Sequence, residues 1–262
     1  MKRKYPVKTV YYKDERNDEF SSAVITPKRI DENWEYAPKG FWWRVKRFLL
    51  YRVLAYPIGF LLCKIKYGWK IKNREVRKRI PKGQGCFLYA NHTQDLGDPF
   101  FPSFAVCPKG VFVIVHPNNV SMPVLGRANK YLGALPLPDN LKAARNFKTA
   151  IDERYDEGNC IAIYPEAHIW PYYTGIRDFP AVSFRYPVEK NAPCLVLTTT
   201  YQKRGFCKKP RAVSYLDGPF YPNENLPPKE RAQELRDRVY AQMQERSKLN
   251  TCEYIRYEKE KA

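Results

Sequence analysis

The sequence predicts an α/β fold: a single domain with a central mixed, largely parallel sheet flanked by helices, plus an N-terminal amphipathic helical segment. Three observations point there. Short apolar runs recur at 86–90, 111–115, 161–164, 194–201 and 212–216, each of strand length and without the polar alternation of a half-solvated strand. Helical patterns alternate with them: Leu141, Ala144, Phe147 and Ile151 share one face of 140–158, and Ala232, Leu235, Val239 and Met243 form a stripe in 228–248. The 262 residues are enough for one sizeable core.

Residues 1–40 read as an N-terminal extension in which charges alternate with aromatics, with short extended pieces at Tyr11-Tyr12 and Trp34-Glu35-Tyr36. Its start is basic but no apolar run follows, so no secretion signal is expected. The character changes at 41–67, FWWRVKRFLLYRVLAYPIGFLLCKIKY, which holds six Lys or Arg and no acid. Pro57 and Gly59 predict a break into two helices. In the first, Arg44, Arg47 and Arg52 gather on one side of the helical wheel, with Trp42, Trp43, Val45, Leu49, Leu50, Val53 and Leu54 opposite; Lys46 and Phe48 interrupt the pattern. Such a segment suits a membrane interface, with Trp42 and Trp43 at head-group depth and Arg44 and Arg47 on anionic lipid. Its longest uncharged run, 53–63, is well short of the roughly 20 residues a bilayer-spanning helix needs, so no membrane crossing is expected.

The α/β domain is expected to occupy 68–262. It opens with a short strand and basic loop over 71–79, then strand 86–90 and the stretch Asn91–Pro99. Asp98-Pro99 reads as the N-cap and first-turn proline of a helix running through Phe104. Strand 111–115, a turn into a short strand over 131–138, and helix 140–158 with Gly158 as its stop come next. Strand 161–164 runs into Pro165-Glu166-Ala167-His168; strands 194–201 and 212–216 and the helix from Pro228 complete the chain.

A net charge of +19 and a pI near 9.6 point to an anionic partner. The basic residues are spread through every segment, without one basic helix or stacking platform, so nucleic acid is not the expected partner. Neither a G-x-S-x-G elbow nor a P-loop or G-x-G-x-x-G is present, which argues against a serine hydrolase and a nucleotide-binding enzyme. Seven scattered cysteines with no C-x-x-C pair, and no histidine at ligand spacing, predict reduced thiols in a cytosolic setting and no metal site.

The chemistry concentrates at Asn91-His92. A histidine delivered at the end of a buried strand, with Asp95 three and Asp98 six residues later, is a candidate general base with an orienting carboxylate. Asp95 and Asp98 compete for that role, and Asp98 also competes with its reading as a helix cap. A second strand ends in Tyr164-Pro165-Glu166.

These two blocks resemble the glycerolipid acyltransferase family, the lysophosphatidate acyltransferase type, over about residues 41 to 220. The family pattern is Asn-His, four residues, then Asp; here that position holds Gly97, and Asp98 stands one residue later. The third family block, Phe-Pro-Glu-Gly with a hydroxyl residue and Arg, is matched at Tyr164-Pro165-Glu166, with Ala167 for the Gly and the Arg missing. The stretch 132–138 keeps the outline of the second block without its Arg, and the apolar run after Pro193 is similar to the fourth.

The resemblance implies a membrane-associated O-acyltransferase. His92, oriented by Asp98, would deprotonate a hydroxyl of a lysophospholipid-like acceptor, which attacks an acyl thioester. Asn91, Glu166, His168 and Arg177 would bind substrate, with Arg177 or Arg127 replacing the missing phosphate-holding arginines. No cofactor is implied: acyl-CoA or acyl-acyl carrier protein is a co-substrate. The protein would sit on the cytoplasmic face of an anionic membrane, peripheral or monotopic. Because Gly97 and Ala167 fall on motif positions, the second reading is a catalytically inactive lipid- or membrane-binding relative.

Overall fold

The structure, a computed structural model, describes residues 7–20, 26–122, 125–205 and 207–260. In chain order its elements are β1 (Lys8–Tyr12), α1 (Phe41–Arg47), a π-helical stretch (Phe48–Ala55), α2 (Tyr56–Tyr67), β2 (Lys70–Lys72), a 3-10 helix (Arg74–Arg79), β3 (Cys86–Ala90), α3 (Phe101–Val106), β4 (Val111–Val115), α4 (Asn118–Ser121), α5 (Leu125–Leu132), β5 (Ala134–Pro136), α6 (Leu141–Asp156), β6 (Cys160–Ile163), a 3-10 turn (Ala181–Phe184), α7 (Arg185–Lys190), β7 (Cys194–Gln202), β8 (Arg211–Phe220), α8 (Pro228–Ser247) and β9 (Ile255–Lys259).

Seven strands form one sheet in the order β2-β8-β7-β3-β6-β4-β5. All neighbours are parallel except the antiparallel pair β7 and β8. This is the mixed, largely parallel sheet that the apolar runs predict. Every residue of β3 is buried, because helices cover both faces of the sheet. Alternation along the strand sends Phe87 and Tyr89 into a core shared with α6, α7 and α8, and Cys86, Leu88 and Ala90 into one shared with α2 and α3.

This layering positions the site. From β3 the chain turns to α3 on one face and returns as β4. From the adjacent β6 it turns to α7 on the opposite face and returns as β7, on the far side of β3. Neighbouring parallel strands whose exits part to opposite faces leave a crevice at their carboxyl ends, the place where α/β sheets bind ligands. His92 and Glu166 stand at these two strand ends.

Five expectations about local structure are corrected. The helix at 41–67 does not break: it runs through Pro57 and Gly59 without interruption. Pro57 falls in the first turn after the π-helical stretch, where a missing N–H ends one bonding pattern as the next begins. Gly59 is a contact, not a breaker, since a Cβ there would come 2.5 Å from the Phe100 ring. The unbroken helix of 27 residues, roughly 40 Å long, is long and apolar enough to cross a membrane, contrary to the reading from uncharged runs. The short helix after Pro99 begins only at Phe101, with Pro102 in its first turn. Finally, 74–79 is a 3-10 helix, not a loop, and Trp34–Tyr36 is irregular, with Tyr36 buried against Phe147.

The sides of the long helix also differ in part from the expectation. Arg47 turns inward, donating to the carbonyls of Tyr131 (2.9 Å) and Val111 (3.3 Å) with its guanidinium over the Phe112 ring. Arg52 likewise donates to the carbonyls of Lys109 and Pro108. Backbone carbonyls left over at element ends need donors, and these arginines supply them. Trp43 packs on the core beneath the Arg154 guanidinium. Trp43 and Arg47, expected at the membrane, are thus engaged with the domain, while Trp42 and Arg44 remain exposed. Phe48, Leu49, Val53, Leu54, Ile58, Leu61, Leu62 and Ile65 point outward as a continuous apolar stripe. All seven cysteines are free thiols.

Candidate active site

The loop after β3 is tied down residue by residue. Asn91, buried, extends the ladder between β3 and β7 by one residue with its side chain: its Nδ2 donates to the Thr199 carbonyl (3.0 Å) and its Oδ1 accepts from the Thr199 amide (2.8 Å). Occupied in this way, Asn91 is a brace for the loop, a role different from the substrate contact that the resemblance implies. The amide of His92 donates to Glu166 Oε2 (3.3 Å), and its carbonyl accepts from the Trp170 amide (3.1 Å). Thr93 accepts through its carbonyl from the Tyr172 amide (3.0 Å) and, through its hydroxyl, from Tyr201 (2.7 Å). With the backbone held on both sides, the ring direction is set by two further contacts.

The first is Asp98. His92 Nδ1 lies 2.8 Å from Asp98 Oδ2, so Nδ1 carries the proton and Nε2 keeps a lone pair. The same oxygen accepts from the amides of Thr93 (2.8 Å) and Gln94 (2.9 Å). Burial pushes the Asp98 carboxyl above its ordinary range, while the His92 ring and the two amides pull it down. The second contact is Tyr164, whose ring stacks on the imidazole at 4.5 Å and whose hydroxyl donates to the Asp98 carbonyl at 2.5 Å. The His92 side chain keeps 24% of its surface, and among the described residues Nε2 has no hydrogen-bond partner.

Geometry thus separates the two carboxylates. Asp98 faces the ring, whereas Asp95 is exposed and makes no bond to His92; burial and the nearby Asp98 raise its carboxyl. Asp98 is not the helix cap. Its carboxylate serves amides that precede it, and the amides of Phe100 and Phe101 at the head of α3 go to the Gly97 carbonyl (both 2.9 Å). Gly97 itself has no room for a side chain: a Cβ would stand 2.4 Å from the Phe101 ring and 3.0 Å from the Gln94 Cβ. A turn closed by the Asp98 amide on the Gln94 carbonyl (3.0 Å) leaves Asp98 aimed at the ring.

Glu166 and Arg177 take a role other than substrate binding. Their side chains retain 0% and 2% of their surface and pair with each other at 3.2 Å. Glu166 also accepts from the amides of His92 (3.3 Å) and Arg177 (3.2 Å). Arg177 also donates from its two terminal nitrogens to the carbonyls of Glu15 and His168. The enclosed carboxylate and guanidinium, engaged with one another, brace the His92 loop. Burial raises the Glu166 carboxyl, with Arg177 and the amides opposing it. His168 is partly exposed and pairs with Glu19 (3.3 Å). The side chain of Arg127 lies outside the described residues.

Trp170 reads in the sequence as a site-lining neighbour of His168, whereas Tyr201 carries no signal beyond its place in an apolar strand. Tyr164 was in view as part of Tyr164-Pro165-Glu166, but only the fold places its ring on His92. Ala167 adopts φ 64°, left-handed backbone that suits glycine. Such a conformation costs an L-residue about 1–2 kcal/mol, of which glycine's greater chain entropy returns roughly half. Ala167 is exposed, so Ala167→Gly is expected to raise stability by about 0.5–1 kcal/mol, read as a higher denaturation midpoint.

No family model and no curated protein matches this sequence. Among solved structures, the chain is similar to the crystal structure of the 1-acyl-sn-glycerophosphate (LPA) acyltransferase PlsC from Thermotoga maritima, with a TM-score of 0.49 and 15% sequence identity over 78% of this chain and 86% of that one.

Proposed function

We propose that the protein is an O-acyltransferase that moves a fatty acyl group from a thioester donor to a hydroxyl of a lysophospholipid-like acceptor. The observation that carries this reading is the His92–Asp98 pair at the parting of β3 and β6, with Nδ1 engaged by the buried Asp98 and Nε2 without a partner among the described residues. The motif resemblance at Asn91-His92 and Tyr164-Pro165-Glu166 supplies the reaction class. Nε2 takes the proton from the acceptor hydroxyl as its oxygen attacks the thioester carbonyl carbon. The new C–O bond forms, the C–S bond breaks, and the departing thiolate takes the proton back from the imidazolium. Asp98 stabilises the imidazolium in between. Asp98, Tyr164, Glu166 and Asn91 orient the base; the donor is acyl-CoA or acyl-acyl carrier protein, with no resident cofactor.

The outward apolar stripe of the long helix supports a membrane location. Its inner face is bonded or packed to the domain from Arg47 to Tyr67, about 30 Å of helix. The helix therefore lies in the plane of the membrane surface, as a monotopic anchor, instead of crossing. Exposed Lys64, Lys66, Lys70 and Lys72 adjoin its end and face anionic head groups. The test is incubation with acyl thioester and a panel of lyso-lipids on anionic vesicles, with products read by mass spectrometry. A new ester together with free thiol is expected. Vesicle binding without product from any acceptor would instead establish the inactive lipid-binding relative.

A further inference from the structure

The N-terminal extension is no loose tail. Its strand β1 pairs in parallel with β9 at the other end of the chain, Lys8 opposite Ile255 through Tyr12 opposite Lys259. From there, residues 13–20 cross the loop that follows β6. The Glu15 carbonyl accepts from Arg177 (3.3 Å), and Arg16 pairs with Asp178 (2.5 Å). The Asp18 carbonyl accepts from the indole of Trp170 (2.8 Å), and the Phe20 amide donates to the Ile169 carbonyl (3.2 Å). The Glu19 carboxylate meets the Ile169 amide and His168. The rings of Tyr12 and Phe20 close on Trp170 at 4.8 and 5.4 Å, with Tyr257 of β9 stacked at 4.7 Å.

Trp170 is also the residue whose amide holds the His92 carbonyl. The extension therefore grips the indole of a residue whose backbone grips the candidate base. Arg177 repeats the arrangement, since it meets the extension through Glu15 and the His92 amide through Glu166. We infer that residues 7–20 are a component of the active site, a strap that fixes His92 through Trp170, and that Trp170 is a positioning residue. The inference rests on the acyl-transfer reading for its effect on turnover, but not for its effect on the His92 ring. Placement to within an ångström governs proton-transfer efficiency, so a loosened strap slows chemistry and leaves substrate affinity in place.

The experiment uses the full-length chain with Tyr12→Ala and Phe20→Ala combined, and separately Trp170→Phe, which keeps a ring but removes the N–H to Asp18. Two quantities are read: steady-state kcat and KM for thioester and acceptor, and the rate at which diethyl pyrocarbonate modifies His92, with exposed His116 as internal reference. The strap variant is expected to lower kcat about tenfold with both KM values within twofold, and to change His92 reactivity at least threefold relative to His116. Trp170→Phe should show the same pattern more weakly. A strap variant that only melts earlier, with kcat and His92 reactivity unchanged, overturns the inference. If the wild type shows no turnover at all, the acyl-transfer reading falls, while altered His92 reactivity still upholds the strap and unaltered reactivity refutes it.

Discussion

Replacing His92 by Ala is expected to abolish measurable acyl transfer, a loss of at least 10²- to 10⁴-fold, while leaving the fold intact. The ring is partly exposed, and after its removal Asp98 still accepts from the Thr93 and Gln94 amides, so no buried charge loses all its partners. Asp98→Asn separates geometry from charge. The amide oxygen can occupy the place of Oδ2 and keep all three donors, so the ring stays oriented while the charge that stabilises the imidazolium is gone. A loss on the order of 10² is expected. Asp98→Ala goes further, because it strands two buried amides at about 1–3 kcal/mol each and costs stability as well. Asp95→Asn, a change at an exposed carboxylate, should leave turnover within about twofold. Near-normal turnover in the His92 variant would sink the assignment, and a larger loss from Asp95→Asn than from Asp98→Asn would sink the pairing.

What could be read in advance follows the range over which each feature is determined. Strands β3, β4, β6, β7 and β8 are legible because burial on both faces leaves unbroken apolar runs. Strand β9, Ile-Arg-Tyr-Glu-Lys, has no such run and exists by pairing with β1 some 250 residues away. The helical wheel groups Arg44 with Arg47 and sets Trp43 opposite them, whereas Arg47 and Trp43 both meet the domain and Arg44 is exposed, because the wheel holds no information on what the domain offers each side chain. That is decided by the carbonyls of Val111, Tyr131, Pro108 and Lys109, which draw Arg47 and Arg52 inward. Pro57 and Gly59 are breakers by local rule, and packing of Phe100 against Gly59 overrides it. At the site, His92 and Asp98 are six residues apart and visible as candidates; the choice between Asp98 and Asp95 needed a turn geometry that spacing alone does not carry. Glu166 and Arg177 were both noticed, but their mutual pairing across an eleven-residue loop was not, and it changes their role from ligand contacts to braces.

Arg177→Met is expected to produce the largest loss of stability. It leaves the Glu166 carboxylate, which retains none of its side-chain surface, without its counter-charge. Breaking a buried pair by removing one partner costs roughly 3–5 kcal/mol, more than losing an exposed pair by severalfold. The sign of its pH dependence follows from Glu166. Burial already raises this carboxyl above 4.5 in the folded protein, and Arg177 is the chief influence lowering it. Without Arg177 it rises further. A carboxyl with a raised folded-state pKa contributes stability below its unfolded value and loses it as pH climbs through the folded one. The deficit of the variant should therefore be smallest at acid pH, where Glu166 is protonated in both states, and widest at neutral pH and above. Denaturant midpoints at pH 4 and pH 8, wild type against Arg177→Met, read this directly. Adding Glu166→Leu removes the stranded charge and should recover much of the neutral-pH stability, but not activity, because the His92 amide then lacks its acceptor. A deficit independent of pH, or a double variant no more stable than the single one, would show that the pair does not carry the load assigned to it.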